Sequence, residues 1–152
     1  AFAQSDPLMR EVEAVVNLEA RGTRGPAIFF ESNQPNGDAV AAFAHAPRGI
    51  ANSVMADVYA LLQNSTDVTA LRRPGLDIVN IALLDGFEDY HTPQDSLASL
   101  NPRSLQHMGD IALATTRAFA GAVLSRMDLA SYAAAVHAVL DERLTRLLET
   151  PA

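Results

Sequence analysis

The chain has 152 residues, 49% of them apolar and 19% charged, the balance of an ordinary globular domain large enough to bury a core. Its formal charge is −7, from 18 acidic and 11 basic residues, and every basic residue is an arginine. Scattered arginines on an acidic chain make no basic stripe, so nucleic acid is excluded as a partner. No apolar run reaches the length of a membrane span, so no transmembrane segment is expected. With no cysteine there is neither a disulfide framework nor a thiolate zinc site, and any metal ligands must come from His, Asp and Glu.

The opening residues, AFAQSDPLMREVE, have neither the basic start nor the apolar centre of a signal peptide, and no initiating Met. The expectation is a chain cut from something longer. Pro7 to Glu13 read as a helix tail or turn. Ala14 to Glu19 is an apolar, β-branched run that turns polar at its end, and Ala27 to Phe30 makes a second strand. Gly22 and Pro26 bracket a reversal, which predicts that these two strands are neighbours.

Asn36-Gly37-Asp38 reads as a turn and helix cap leading into a short helix from Ala39 to His45, which Pro47 stops. After Asn52-Ser53, the spacing of Met55, Val58, Tyr59 and Leu62 predicts a helix. Ser65-Thr66-Asp67 caps a brief turn that ends at Pro74-Gly75. Leu76 to Leu84 (LDIVNIALL) is apolar almost throughout, as expected of a strand covered by helices on both faces. A polar loop follows from Asp85 to Ser99. Asn101-Pro102 starts a helix with Leu105, Met108, Ile111 or Ala112, Thr115 and Phe119 on one face. Asp128 is expected to cap a last helix striped by Ala133, Val136, Leu140, Leu144 and Leu147. Strands and helices interleave, which predicts an α/β sandwich.

Two polar islands stand beyond the carboxyl ends of apolar strands: Asn17 to Gly22, and Asp85 to Asp95 with Tyr90-His91-Thr92 inside it. Ligands of open α/β sheets bind there. A carboxylate at one such end and an imidazole beyond the other make a reasonable half of a zinc site. Taken singly, each has a blander reading: Glu19 as a solvated residue or a partner for Arg21, and His91 as an ordinary loop histidine. His45, His107 and His137 read as structural or solvent-facing. Asp67 reads as a turn cap, and Asp95 either as a turn residue or as a group orienting the histidine loop.

The segments NLEARGTRGPAIFFES (17–32) and NSTDVTALRRPGLDIVNIALLDGFEDYHTPQDSLASLNPRSLQHMGD (64–110) resemble the second half of the two-zinc aminopeptidase family. That family includes glutamate-carboxypeptidase-like enzymes and membrane-anchored metallopeptidases of the endoplasmic reticulum and vacuole. The resemblance covers roughly residues 10 to 120. It rests on the NLEARG strand end, the STD turn and the YHT motif followed by a SLQH-G helix, in that order.

The resemblance implies a three-layer sandwich whose mixed, largely parallel sheet is flanked by helices, and a site with two zinc ions. Glu19 and His91 match two of the metal ligands, one for each ion, and Tyr90 matches a position beside the substrate. Glu19 in place of the commoner Asp points to the membrane-anchored branch. The histidine and bridging aspartate of an H-x-D motif, and the Glu-Glu pair that supplies the general base, have no match in this chain and are expected upstream. No catalytic residue is therefore assigned within it. Residues 1–124 are expected to be the C-terminal portion of the catalytic domain, with 125–152 a C-terminal helix.

These features imply a zinc exopeptidase of aminopeptidase type, acting on peptides in an extracytoplasmic or membrane-associated parent. The chain alone is expected to be inactive, and to pair with the remainder of its domain or with itself through an exposed sheet edge. The alternative is a non-catalytic module that keeps the peptidase fold for binding or assembly. Retention of both Glu19 and His91 favours the enzyme.

Overall fold

In the computed structural model, which describes residues 2–61 and 65–126, the six residues from Ile78 to Leu83 are each at most 1% exposed. They form the middle of β4 (Asp77–Asp85), the strand around which the rest is arranged. In chain order the preceding elements are α1 (Phe2–Ser5), a 3₁₀ turn (Pro7–Arg10), β1 (Ala14–Ala20), β2 (Arg24–Glu31), α2 (Gly37–Phe43), β3 (Ile50–Ala51), α3 (Ser53–Leu61) and α4 (Asp67–Leu71). After β4 come a 3₁₀ turn (Phe87–Asp89) and α5 (Pro102–Arg126). The chain divides into two compact units, Ala1–Ala118 and Phe119–Ala152, and the sheet belongs to the first. The last helix expected after Asp128 lies outside the described residues.

The sheet order is β1-β4-β2-β3. β1 runs parallel to β4, β2 antiparallel to it, and β3 parallel to β2, so the sheet is mixed. Helices cover both faces. Val68 of α4 packs with Leu76 and Ile78, and Val12 and Val15 close over them. Ile81 is three residues from Ile78 and so points the other way. It pairs with Phe29, whose ring meets that of Phe43 in α2 at 4.9 Å. The near-continuous apolar run of β4 is thus the signature of a doubly covered strand.

β1 and β2 are not neighbours, contrary to the reading of their connection as a tight reversal. β4 lies between them. The link from Ala20 to Arg24 passes over the end of β4, with the Arg21 N–H donating to the Leu83 carbonyl at 3.0 Å and Arg24 already paired with Asp85. Two strand spacings are about 10 Å, well within the reach of four extended residue steps, roughly 13 Å. The crossing is close, and a Cβ at Gly22 would collide with the Asp85 carbonyl. Gly22 therefore serves a backbone passing over a strand end rather than a hairpin.

The start of α5 follows the sequence: the Asn101 side-chain oxygen accepts from the Arg103 N–H at 2.9 Å, with Pro102 at the first helical position. Met108, Ile111, Thr115 and Phe119 of the expected stripe are buried, but Leu105 is 55% exposed and Ser104 is buried in its place. Two tethers fix this first turn. The Asn101 N–H donates to the Thr23 carbonyl at 2.8 Å. His107 accepts the Ala27 N–H on Nδ1 at 3.1 Å, so its Nε2 donates to the Arg48 carbonyl at 3.2 Å. With His107 held against the end of β2, the small Ser104 turns inward and Leu105 outward.

Val79 is fully buried at the centre of β4. Val79→Asp places an unpaired carboxylate there and is expected to cost several kcal/mol, enough to unfold a marginal domain. Thermal or urea melting checks this; an unchanged transition would mean that the strand is not enclosed.

Candidate functional site

Because β1 and β4 are parallel, their carboxyl ends lie at the same end of the sheet. Glu19 is the penultimate residue of β1, half-buried, and it pairs in register with Ala82. Its Oε1 accepts from the Asn17 side-chain amide at 3.0 Å. The two residues alternate with outward-turned Leu18 along the strand, so they share a face. Arg21 forms no ion pair with Glu19 among the described residues. Its guanidinium lies over two aromatic rings, 5.4 Å from the centroid of Tyr59 and 5.6 Å from that of Tyr90. These are cation–π distances. Arg21 thereby ties the strand end that bears Glu19 to the loop that bears His91.

That loop is held by its own turns. The Thr92 hydroxyl donates to the Asp89 carbonyl at 2.6 Å, and the Thr92 N–H donates to the same carbonyl at 3.0 Å. Thr23, buried in the β1–β2 crossing, donates its hydroxyl to the Asp89 carboxylate at 2.8 Å. Arg24 pairs with Glu88 at 2.5 Å and, more loosely, with Asp85 at 3.8 Å. The Glu88 carboxyl is held below its usual range, first by a backbone N–H of its own turn and then by Arg24. Its stabilising effect is present above the ordinary carboxylate pKa and lost as pH falls through the lowered value. Being solvent-exposed, the pair contributes little.

His91 takes a left-handed backbone conformation, φ 58°, uncommon outside glycine. Its ring is stacked on Tyr90 with centroids 3.8 Å apart and planes 20° from parallel. Asp95 accepts the backbone N–H of His91 at 3.4 Å, so it shapes the turn rather than orienting the imidazole. Strain of this kind concentrates where a side chain must be presented in a particular direction. Of the other candidates, Asp67 is exposed in the first turn of α4, and His45 is exposed. His137 lies outside the described residues.

The donor chemistry suits zinc, which takes imidazole nitrogen and carboxylate oxygen where thiolates are absent. Among the described residues, no group of three or more His, Asp or Glu is placed to hold a metal ion. Glu19 and His91 therefore fit as contributors to a site and do not complete one. The sequence reading passed over Asn17, Asn80 and Glu31, which are hydrogen-bonded in series to Glu19. The available signal was Asn80, a carboxamide in the middle of an apolar strand.

No helix among the described residues is long and apolar enough to cross a membrane. No solved structure matches the chain significantly. It is 32% identical over 115 residues to a vacuolar membrane protease of Botryotinia fuckeliana, covering 74% of this chain and 11% of that protein. It is 33% identical over 113 residues to a vacuolar membrane protease of Aspergillus clavatus, covering 72% and 11%. It is 29% identical over 116 residues to a putative endoplasmic reticulum metallopeptidase 1 of Schizosaccharomyces pombe, covering 74% and 14%. The chain thus spans about a tenth of the length of the curated relatives it matches. The profile of peptidase family M28 matches residues 1–116, nearly the whole of the first compact unit, and the chain belongs to that family.

Proposed function

We propose that this chain is part of a zinc-dependent exopeptidase, of aminopeptidase type, in which Glu19 and His91 are metal ligands and Tyr90 lies beside the peptide substrate. The observation that carries the reading is the bridge of Arg21 to the Tyr90 ring. It joins a carboxylate strand end to an imidazole loop within the matched region of a peptidase family. Bound zinc lowers the pKa of a coordinated water and polarises the scissile carbonyl. Glu19 and His91 each hold one ion of a pair. The general base and remaining ligands are supplied by residues upstream of Ala1. On this reading residues 1–124 are the C-terminal portion of the catalytic domain. The names of the relatives support an extracytoplasmic or membrane-associated parent.

In the full-length protein, His91→Ala is expected to remove most peptidase activity and to lower bound zinc, as read by metal analysis. Full turnover with undiminished zinc would remove His91 from the site and leave the non-catalytic module as the better account. The 152-residue chain alone is expected to bind zinc weakly and hydrolyse nothing. One protein ligand per ion falls far short of the three usual in catalytic zinc sites. Among the described strands, β1 pairs along one side alone, and Leu18 upon it is 47% exposed. An open edge of this kind favours pairing with the rest of the domain or with a second copy. Tight zinc binding or peptide turnover by the purified chain would contradict this.

A further inference from the structure

Asn80 is fully buried in β4, where all its immediate neighbours are apolar. A carboxamide in such a place is destabilising unless its hydrogen bonds are made. Here they are made, and in a fixed direction. Its Nδ2 donates to Glu31 Oε2 at 2.8 Å and to the Thr66 hydroxyl at 3.0 Å. Its Oδ1 accepts from Asn17 Nδ2 at 2.9 Å. The same Asn17 nitrogen gives its second hydrogen to Glu19 Oε1 at 3.0 Å. At the far end Arg72 pairs with the other oxygen of Glu31 at 2.6 Å.

An ionised carboxylate only accepts. Glu31 therefore fixes which way Asn80 faces: nitrogen toward Glu31, oxygen toward Asn17. That in turn obliges Asn17 to present its nitrogen, and the second hydrogen of that nitrogen falls on Glu19. Rotating either amide by half a turn would set like groups against each other. The register makes this possible, since Asn17 lies opposite Asn80 and Asn80 opposite Glu31 across three adjacent strands.

We propose that Asn17, Asn80 and Glu31 are positioning residues, a hydrogen-bond relay across the sheet whose polarity is set by Glu31 and whose output is the orientation of the Glu19 carboxylate. The relay holds Oε1 and leaves Oε2 as the oxygen that would be available to a metal. A network serving only the core would have no need to end on a half-buried carboxylate at the strand end. This inference rests on Glu19 being a metal ligand. It adds residues that touch neither metal nor substrate.

The test is zinc binding by the full-length protein, with zinc ion alone as the probe, measured by competition with a chromophoric chelator. Melting of the metal-free protein is followed in parallel. Asn17→Ala is expected to weaken zinc binding by about 10- to 100-fold; it also leaves the buried Asn80 oxygen without its donor, so metal-free melting is expected to fall while the protein stays folded at the assay temperature. Glu31→Leu, which does not contact Glu19, is expected to weaken it similarly. Glu31→Gln can still turn a carbonyl toward Asn80 but no longer accepts at both ends, and should recover part of the binding lost in Glu31→Leu. Unchanged affinity in Asn17→Ala, or equal losses in Glu31→Leu and Glu31→Gln, would overturn the relay. Glu19→Ala separates the two levels of inference. If it leaves zinc affinity unchanged, the ligand assignment itself fails; if it lowers affinity while Asn17→Ala does not, the relay alone fails.

Discussion

The enclosure of β4 is the constraint on which the other features depend. A strand buried on both faces must also have both edges paired, because an unpaired backbone N–H or carbonyl in the core costs as much as a lost hydrogen bond. β1 and β2 supply those edges from opposite sides. Since they are consecutive in the chain, their connection must pass over the end of β4, and Gly22 is the residue that lets it pass. The crossing then lies at the end of the sheet where β4 opens into its loop. Thr23 and Arg24, which belong to the crossing, hold Asp89 and Glu88 of that loop. The requirement to cover one apolar strand thus places Glu19, Arg21, Tyr90 and His91 at a common end.

Different forces hold the two sides of the site. Glu19 is fastened from within the sheet, through amides and a hydroxyl that are half-buried or fully buried. Directional hydrogen bonds away from water specify geometry strongly, because each broken one leaves a polar group unpaired. The His91 loop is fastened from outside by short turns and solvent-exposed ion pairs such as Arg24–Glu88. Exposed pairs contribute little and are screened by salt. The carboxylate side of the site is therefore the rigid one. The histidine side is tuned by surface chemistry, with the Arg21 contact to Tyr90 as its link to the frame.

Membership of the M28 family covers residues 1–116, and this region ends close to where the first compact unit ends, at Ala118. The relatives are some ten times longer than the stretch they share with this chain. What that stretch contains is one end of a sheet, two candidate ligands, one near the end of β1 and one in the loop after its parallel neighbour β4, and the supports for one of them.

Local physics made much of this legible in the sequence. The apolar run of β4 announced a doubly covered strand, and Asn101-Pro102 announced the start of α5. The short-range signals act within a few residues: they located these elements, but the turn residues Gly22 and Pro26 did not reveal that their link crosses a strand rather than closing a hairpin. The order of strands was not legible, since nothing in residues 14–31 records that a strand some 50 positions later inserts between them. The buried face of α5 was legible from Met108 on, but not in its first turn, where Ser104 is buried and Leu105 exposed beside the tethers from Thr23 and Ala27. Asn17, Asn80 and Glu31 read singly as polar residues in strands. Only cross-strand register places them opposite one another, because a partner 49 or 63 residues away is chosen by packing of the whole sheet. The sequence by itself determined the main strands and helices, the class of fold and the two candidate ligands; the tertiary structure decided which strand is central and which residues hydrogen-bond to Glu19, because both depend on contacts between distant parts of the chain.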